Sequence, residues 1–173
     1  MHPLFHPLFV DYCVYFNGNK DYFECHEVLE EYWKEIAPKE KEHALVGYIQ
    51  VATGLYHWRR GNLVGASRIL HKARKILLQN TQSIFVEYIA LDELLQQVEN
   101  SLLKITANKT FSSFQFPITN VELQSVVSKK IKLLPIENPS FLLNKHMLRD
   151  RSSILLEREE KKKKKTAYKP RNI

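Results

Sequence analysis

Between Asp21 and Ile36 the chain reads Asp-Tyr-Phe-Glu-Cys-His-Glu-Val-Leu-Glu-Glu-Tyr-Trp-Lys-Glu-Ile, one histidine and five glutamates in a single helical stretch. Imidazole and carboxylate are the side chains of general acid–base catalysis and of divalent-metal ligation, so chemistry is to be sought here first. A second polar group follows in the next helical segment. There His43, Gln50, Thr53 and His57 fall within about 80° of wheel angle, with Gly47 and Gly54 alongside to admit another backbone. If the two segments pack antiparallel, His26, Glu30, Gln50 and His57 converge on one polar pocket walled by Trp33, Tyr56 and Trp58.

Three readings of that cluster stay open. Two imidazoles and a carboxylate can satisfy one another by hydrogen bonding, which makes the cluster structural. The same groups can receive a ligand, and His26, Glu30 and His57 form a set suited to a divalent metal such as zinc, iron or manganese. In the catalytic reading His26, oriented by Glu30, is a general base. The zinc-helix motif is not matched: His26-Glu27-Val28-Leu29-Glu30 lacks its second histidine. A phosphate-cradling glycine loop, a Gly-x-Ser-x-Gly elbow and a Cys-x-x-Cys pair are absent as well.

The elements that must hold these residues are helical. Tyr22, Cys25, Val28, Leu29, Tyr32, Trp33 and Ile36 share one arc of a helix that Asp21 and Glu24 cap and Pro38 ends, which turns Leu29 and Trp33 toward the core. A helix precedes it from Pro7 to Asn17. Others are expected at about 41–60, ending on Gly61, at 62–78, starting from Asn62, and at about 84–105. Phe111, Phe114, Phe116 and Ile118 read as an extended strap, followed by a short helix near 120–130 and a last one after Pro139, capped by Ser140. The expected class is all-α: a compact antiparallel helical bundle of about five core helices plus a C-terminal helix. Two hairpins look alike, Phe23–Leu29 aligning with Val64–Leu70, and the second resembles a tetratricopeptide helix pair. The expected organisation is a core over 1–106, a strap and helices packing on it over 107–156, and a basic disordered tail over 157–173.

Composition narrows the classes further. The chain has 173 residues, 44% of them hydrophobic, enough for one ordinary core. Its net charge of +7 lies entirely beyond residue 144, where 11 basic side chains meet 4 acidic ones. The Lys161–Lys165 run is a solubilising end or a site of nonspecific nucleic-acid attraction. Between Glu42 and Glu87 there is no acid, and Arg68, His71, Lys72, Arg74 and Lys75 make a basic helical face. The uncharged stretch Ala44–Trp58 is too short to span a bilayer, the N-terminal residues make a poor signal peptide, and Cys13 and Cys25 read as buried thiols; together they predict a cytoplasmic protein.

The residues Phe16-Asn17, Tyr22-Phe23-Glu24, His26-Glu27, Leu29-Glu30 and Trp33, followed by Gln50, His57-Trp58-Arg59-Arg60-Gly61-Asn62 and Gly65-Ala66, resemble the signature of a prokaryotic all-helical family, domain of unknown function family 309. The resemblance covers about residues 11–80. It implies a small helical fold and no activity, and its pattern picks out Glu24, His26, Glu27, Glu30, Trp33, Gln50 and His57. Cys25 stands where that pattern more usually has alanine. With Trp58 added, these are the candidate ligand-binding residues. The expected role is binding of a small ligand or protein segment between the second and third helices; the alternative is a metal-dependent or His/Glu acid–base enzyme.

Overall fold

Polar caps and prolines set the helix starts. The computed structural model describes residues 1–148 and 158–164. Helix α1 (Pro7–Asn17) begins at its proline, and His6 caps it through Nδ1, which accepts the Leu8 N–H at 3.3 Å. The same device stands one step earlier, where His2 caps a 3-10 turn over Pro3–Phe5. Helix α2 (Tyr22–Ile36) starts as expected, with Asp21 Oδ1 accepting the Glu24 N–H at 3.1 Å. Helix α3 (Ala44–Arg59) starts later than its apolar pattern suggests, because His43 is its cap: Nδ1 accepts the Leu45 N–H at 3.1 Å. That removes His43 from the polar stripe. Asn62 starts α4 (Leu63–Gln79) by accepting the Gly65 N–H at 3.0 Å.

The segment expected to open the fifth helix does something else. Ile84–Val86 is a 3-10 turn, and α5 covers only Leu91–Thr106. The intervening backbone pairs with the strap: Thr119 N–H donates to the Tyr88 carbonyl at 2.8 Å, Ala90 N–H donates to the Pro117 carbonyl at 2.9 Å, and Ile89 and Ile118 form an isolated antiparallel bridge. Asn17 holds the same strap from the other side, exchanging two hydrogen bonds with the backbone of Phe116. Helix α6 (Val121–Ile131) then packs on α1, with Lys130 on Asp11 at 2.8 Å. In the short α7 (Pro139–Leu143) the side chain that accepts a first-turn N–H is that of Asn138, not Ser140.

Residues 1–143 form one unit and residues 144–173 a second. In the second, α8 spans Lys145–Leu148 and residues 158–164 are helical, inside the stretch where disorder was expected; the rest of that stretch, Lys165 included, lies outside the described residues. Among the described residues no helix is long and apolar enough to cross a membrane. The fold is all-helical, and nothing in its packing identifies the α3–α4 hairpin as a tetratricopeptide repeat.

Helix α3 is the centre of the first unit, buried on most of its faces between α2 and α4. Its Tyr48 meets Phe9, Tyr12 and Phe116, and Phe16 and Tyr22 continue the cluster, all essentially inaccessible. Two of the buried hydroxyls find backbone carbonyls, Tyr12 donating to that of Tyr48 at 2.7 Å and Tyr48 to that of Phe85 at 2.8 Å, while the Tyr22 hydroxyl has no partner. Cys13 and Cys25 are unbridged and fully buried, and burial pushes both thiols well above their ordinary pKa.

Helix α4 can lie close to α3 because two α3 positions have no side chain. A Cβ at Gly54 would stand 2.6 Å from Leu70 Cγ, and one at Gly47 would stand 2.8 Å from Leu77 Cδ2. Both leucines are fully buried, so neither can step aside freely. Gly54→Ala should therefore destabilise by about 1–3 kcal/mol from overpacking, even though alanine is the better helix former by about 1 kcal/mol. Urea melts check this. In the double variant with Leu70→Ala the two costs should add to less than their sum, and full additivity would mean the helices do not meet there.

Candidate functional site

Where α2 and α4 flank α3, an open groove of about 310 Å³ remains. Helix α2 contributes His26, Glu30 and Trp33; α3 contributes Val46, Ile49, Gln50 and Thr53; α4 contributes Ile69 and Lys72. Its lining combines hydrocarbon and indole with a few polar side chains. A larger hollow of about 760 Å³ lies over residues 81–92; of its lining carboxylates, His2 already holds Glu87 at 2.7 Å and Asp92 lies in the first turn of α5.

The α2 wall is a chain of charge contacts. His26 Nδ1 lies 3.2 Å from Glu27 Oε1, and its Nε2 lies 3.3 Å from Glu30 Oε2, one helical turn on. Glu30 turns its other oxygen to Lys34 Nζ at 2.6 Å. His26 and Glu30 keep about a third of their side-chain surface, 35% and 31%, so the network is part solvated. Trp33, expected in the core, is half-buried at the groove and donates its Nε1–H to the Glu40 carbonyl at 3.0 Å. The arc of α2 that faces the core is narrower than the pattern suggests: Tyr22, Cys25, Leu29 and Tyr32 are buried, while Ile36 is 43% exposed.

The α3 wall is different. Thr53 is satisfied within its helix, its hydroxyl donating to the Ile49 carbonyl at 2.8 Å. Gln50 is not: its Oε1 is shut off from solvent and has no hydrogen-bond partner. A buried acceptor left in that state costs about 1–3 kcal/mol, which makes it the one groove group whose chemistry is incomplete.

The expected cluster thus divides. His26, Glu30, Trp33 and Gln50 line one groove, with Glu27 on His26. Glu24 lies in the first turn of α2, where its N–H serves the cap. His57 stands one turn beyond Thr53 and does not line the groove; its Nδ1 faces the Asn62 amide nitrogen at 3.2 Å. Trp58 is 2% exposed and anchors the strap, donating to the Lys109 carbonyl at 3.2 Å and meeting Phe111 edge-on. Among the described residues no group of three or more His, Cys, Asp or Glu side chains is placed to hold a metal, so the set His26, Glu30 and His57 is not assembled.

The second half of the motif builds a joint. Asn62 caps α4 and orients His57, and a Cβ at Gly65 would strike that same amide. Gly61 turns the chain at φ +82°. Arg59 reaches away from the turn, donating to the Lys20 carbonyl at 2.8 Å and the Leu142 carbonyl at 3.3 Å while its guanidinium lies 4.8 Å from the Tyr22 ring centre. One arginine therefore fastens the α1–α2 turn and α7 to the end of α3. The groove residues that the sequence did not place there include Val46, Ile49, Ile69 and Lys72, and Tyr56, expected as a wall, does not line it. For the two α4 residues the signal was present in Gly47 and Gly54, which mark α4 as the close neighbour of α3.

Burial holds the pKa of both His43 and His57 below the ordinary histidine value, opposed by Glu40 at His43 and reinforced by Arg60 at His57. A group with a depressed folded pKa binds protons more readily when the chain is unfolded. Its stabilisation is complete above pH ~6.5 and is lost as pH falls through the folded value. Denaturation midpoints should fall between about pH 7.5 and about pH 5.5, and the fall should be shallower in the double variant His43→Asn, His57→Gln. An unchanged slope in that variant would assign the acid sensitivity to other groups.

The model of the family described as domain of unknown function (DUF309) matches residues 9–69, from α1 into α4. The chain is similar to "Uncharacterized protein YpuF" of Bacillus subtilis (strain 168), with 39% identity over 164 residues, 88% of this chain and 91% of that protein. No solved structure matches it. By the identity and extent of that likeness, together with the family match, the chain belongs to the DUF309 family.

Proposed function

We propose that this protein acts by binding, and that the groove between α2, α3 and α4 receives a small ligand. The observation that carries the reading is the open groove itself, about 310 Å³, whose lining sets Trp33, Val46, Ile49 and Ile69 beside His26, Glu30, Gln50 and Lys72. Such a volume sits at the lower end of the ~300–1,000 Å³ typical of small-molecule sites, and the mixture of apolar lining and few polar groups is what such sites have. The two fully buried, unbridged thiols support a reducing, cytoplasmic setting. The contact of 3.3 Å between His26 and Glu30 favours a second reading, acid–base catalysis with Glu30 orienting the imidazole. Both ring nitrogens of His26 already face carboxylates, which is why binding is preferred.

Gln50→Leu separates these roles. It removes the unpartnered acceptor at similar volume, so stability should stay level or rise by about 1 kcal/mol while ligand binding is lost, the usual exchange at a functional polar group. The measurement is a backbone-amide NMR screen of the full chain with small metabolites graded in charge, run on both proteins. Hits should perturb the amides around His26, Gln50 and Lys72 in the wild type alone. Perturbations centred on residues 81–92 would move the site to the larger hollow.

A further inference from the structure

We propose that the face formed by α2, α3 and α4 joins two copies of this chain in an isologous dimer. What points to it is a charge pattern complementary to itself. Helix α2 carries five glutamates and one lysine, net −4, whereas α4 carries two arginines, two lysines and no acid, net +4. Between them α3 has no charged side chain before Arg59, and Trp33, Val46 and Ile69 line the groove beside it. Within one copy these opposite charges do not all find one another. Glu30 is held by Lys34 and Arg74 by Glu99, but Glu31 on α2 and Arg68, Lys72 and Lys75 on α4 are exposed and make no ion pair among the described residues.

A two-fold axis can lie in such a face in two ways. Running across the helices, it sets α2 on α2 and α4 on α4, like charge on like. Running along α3, it sets α2 of each copy on α4 of the other and the uncharged centre on itself. The register fits the second arrangement. The Phe23 ring meets that of Tyr56 while Trp33 reaches back to the Glu40 carbonyl, so α2 runs antiparallel to α3. Gly54 backs on Leu70 and Gly47 on Leu77, so α4 is antiparallel to α3 as well and parallel to α2. Counted from those contacts, Glu24, Glu27 and Glu31 stand level with Arg68, Lys72 and Lys75 to within about one residue, a rise of ~1.5 Å. An axis along α3 leaves heights unchanged, so each acid meets the base of the second copy at its own level, and the two open grooves close on each other. The helices are about 22 and 25 Å long and three side by side are close to 30 Å across, which gives roughly 700 Å² in projection, near the ~800 Å² per partner of an ordinary interface. Nucleic acid is a poorer occupant, because the acidic strip of α2 beside the basic one repels a polyanion.

The test is sedimentation equilibrium of the full chain at about 50 mM and about 500 mM salt. The protein should be dimeric at low salt, with a dissociation constant at least about tenfold higher at high salt. Glu31→Lys alone and Lys75→Glu alone should each weaken the dimer by about tenfold or more, because both symmetry-related contacts become repulsive; far-UV circular dichroism should not change, since both side chains are exposed and unpaired. An equimolar mixture of the two single variants should dimerise like the wild type, and so should the double variant, because every acid again meets a base. That rescue requires an axis along α3. Monomer at every concentration to about 0.2 mM, a dimer indifferent to both reversals, or a mixture that fails to recover overturns the proposal. So does a monomer that binds a short oligonucleotide and loses it on Lys75→Glu, which would give the basic strip to a polyanion. Ligand binding in the groove is judged apart, by the amide shifts there, which a monomer can show as well as a dimer.

Discussion

The close seating of α4 on α3 is the constraint from which the rest of the first unit follows. Leu70 and Leu77 press against backbone that Gly54 and Gly47 leave bare. Interiors are packed to crystal-like density, so a methyl group at either glycine would have to displace a buried leucine. With α4 drawn in that far, Ile69 and Lys72 overhang the same face of α3 that α2 approaches from the other side. A wider spacing would leave Gln50 open to water and dissolve the groove into surface. Site and packing are thus one geometric fact.

The family-like motif serves two physical ends. Its first half, on α2 and mid-α3, lines the groove. Its second half, His57 to Gly65, is a joint: a capped turn, a left-handed glycine, and an arginine that reaches to Lys20 and Leu142. The joint explains how a strap and a short terminal helix stay attached to a helical hairpin without a sheet to hold them. The family match ends at residue 69, so the α2 and α3 walls lie inside it while Lys72 lies just beyond.

Local signals made much of this readable before any coordinates. Asp21, Asn62 and Pro7 act through hydrogen bonds or ring geometry within a few residues, and their helices start where those residues say. What escaped depends on distant partners. Phe85, Tyr88 and Leu91 keep a helical rhythm, yet the backbone around Tyr88 pairs with residues 117–119, which a local pattern cannot announce. His2, His6 and His43 were hidden for a different reason: histidine is not the usual cap, and each ring is set by an aromatic neighbour, Tyr88, Tyr32 and Phe85 respectively. In the site, the helical wheel grouped Gln50 with His57, but seven residues carry His57 past the end of the groove and into the reach of Asn62.

Cys13 and Cys25 give the core an internal clock. Both sulfurs are sealed from solvent, and burial keeps them in the unreactive thiol form. An alkylating reagent can reach Cys25 only when α1 and α2 separate, because its sulfur lies 3.5 Å from the Tyr12 carbonyl on α1. Its modification rate therefore counts openings of the α1–α2 contact, and a molecule bound at the groove would slow that rate only by tightening the helix it touches.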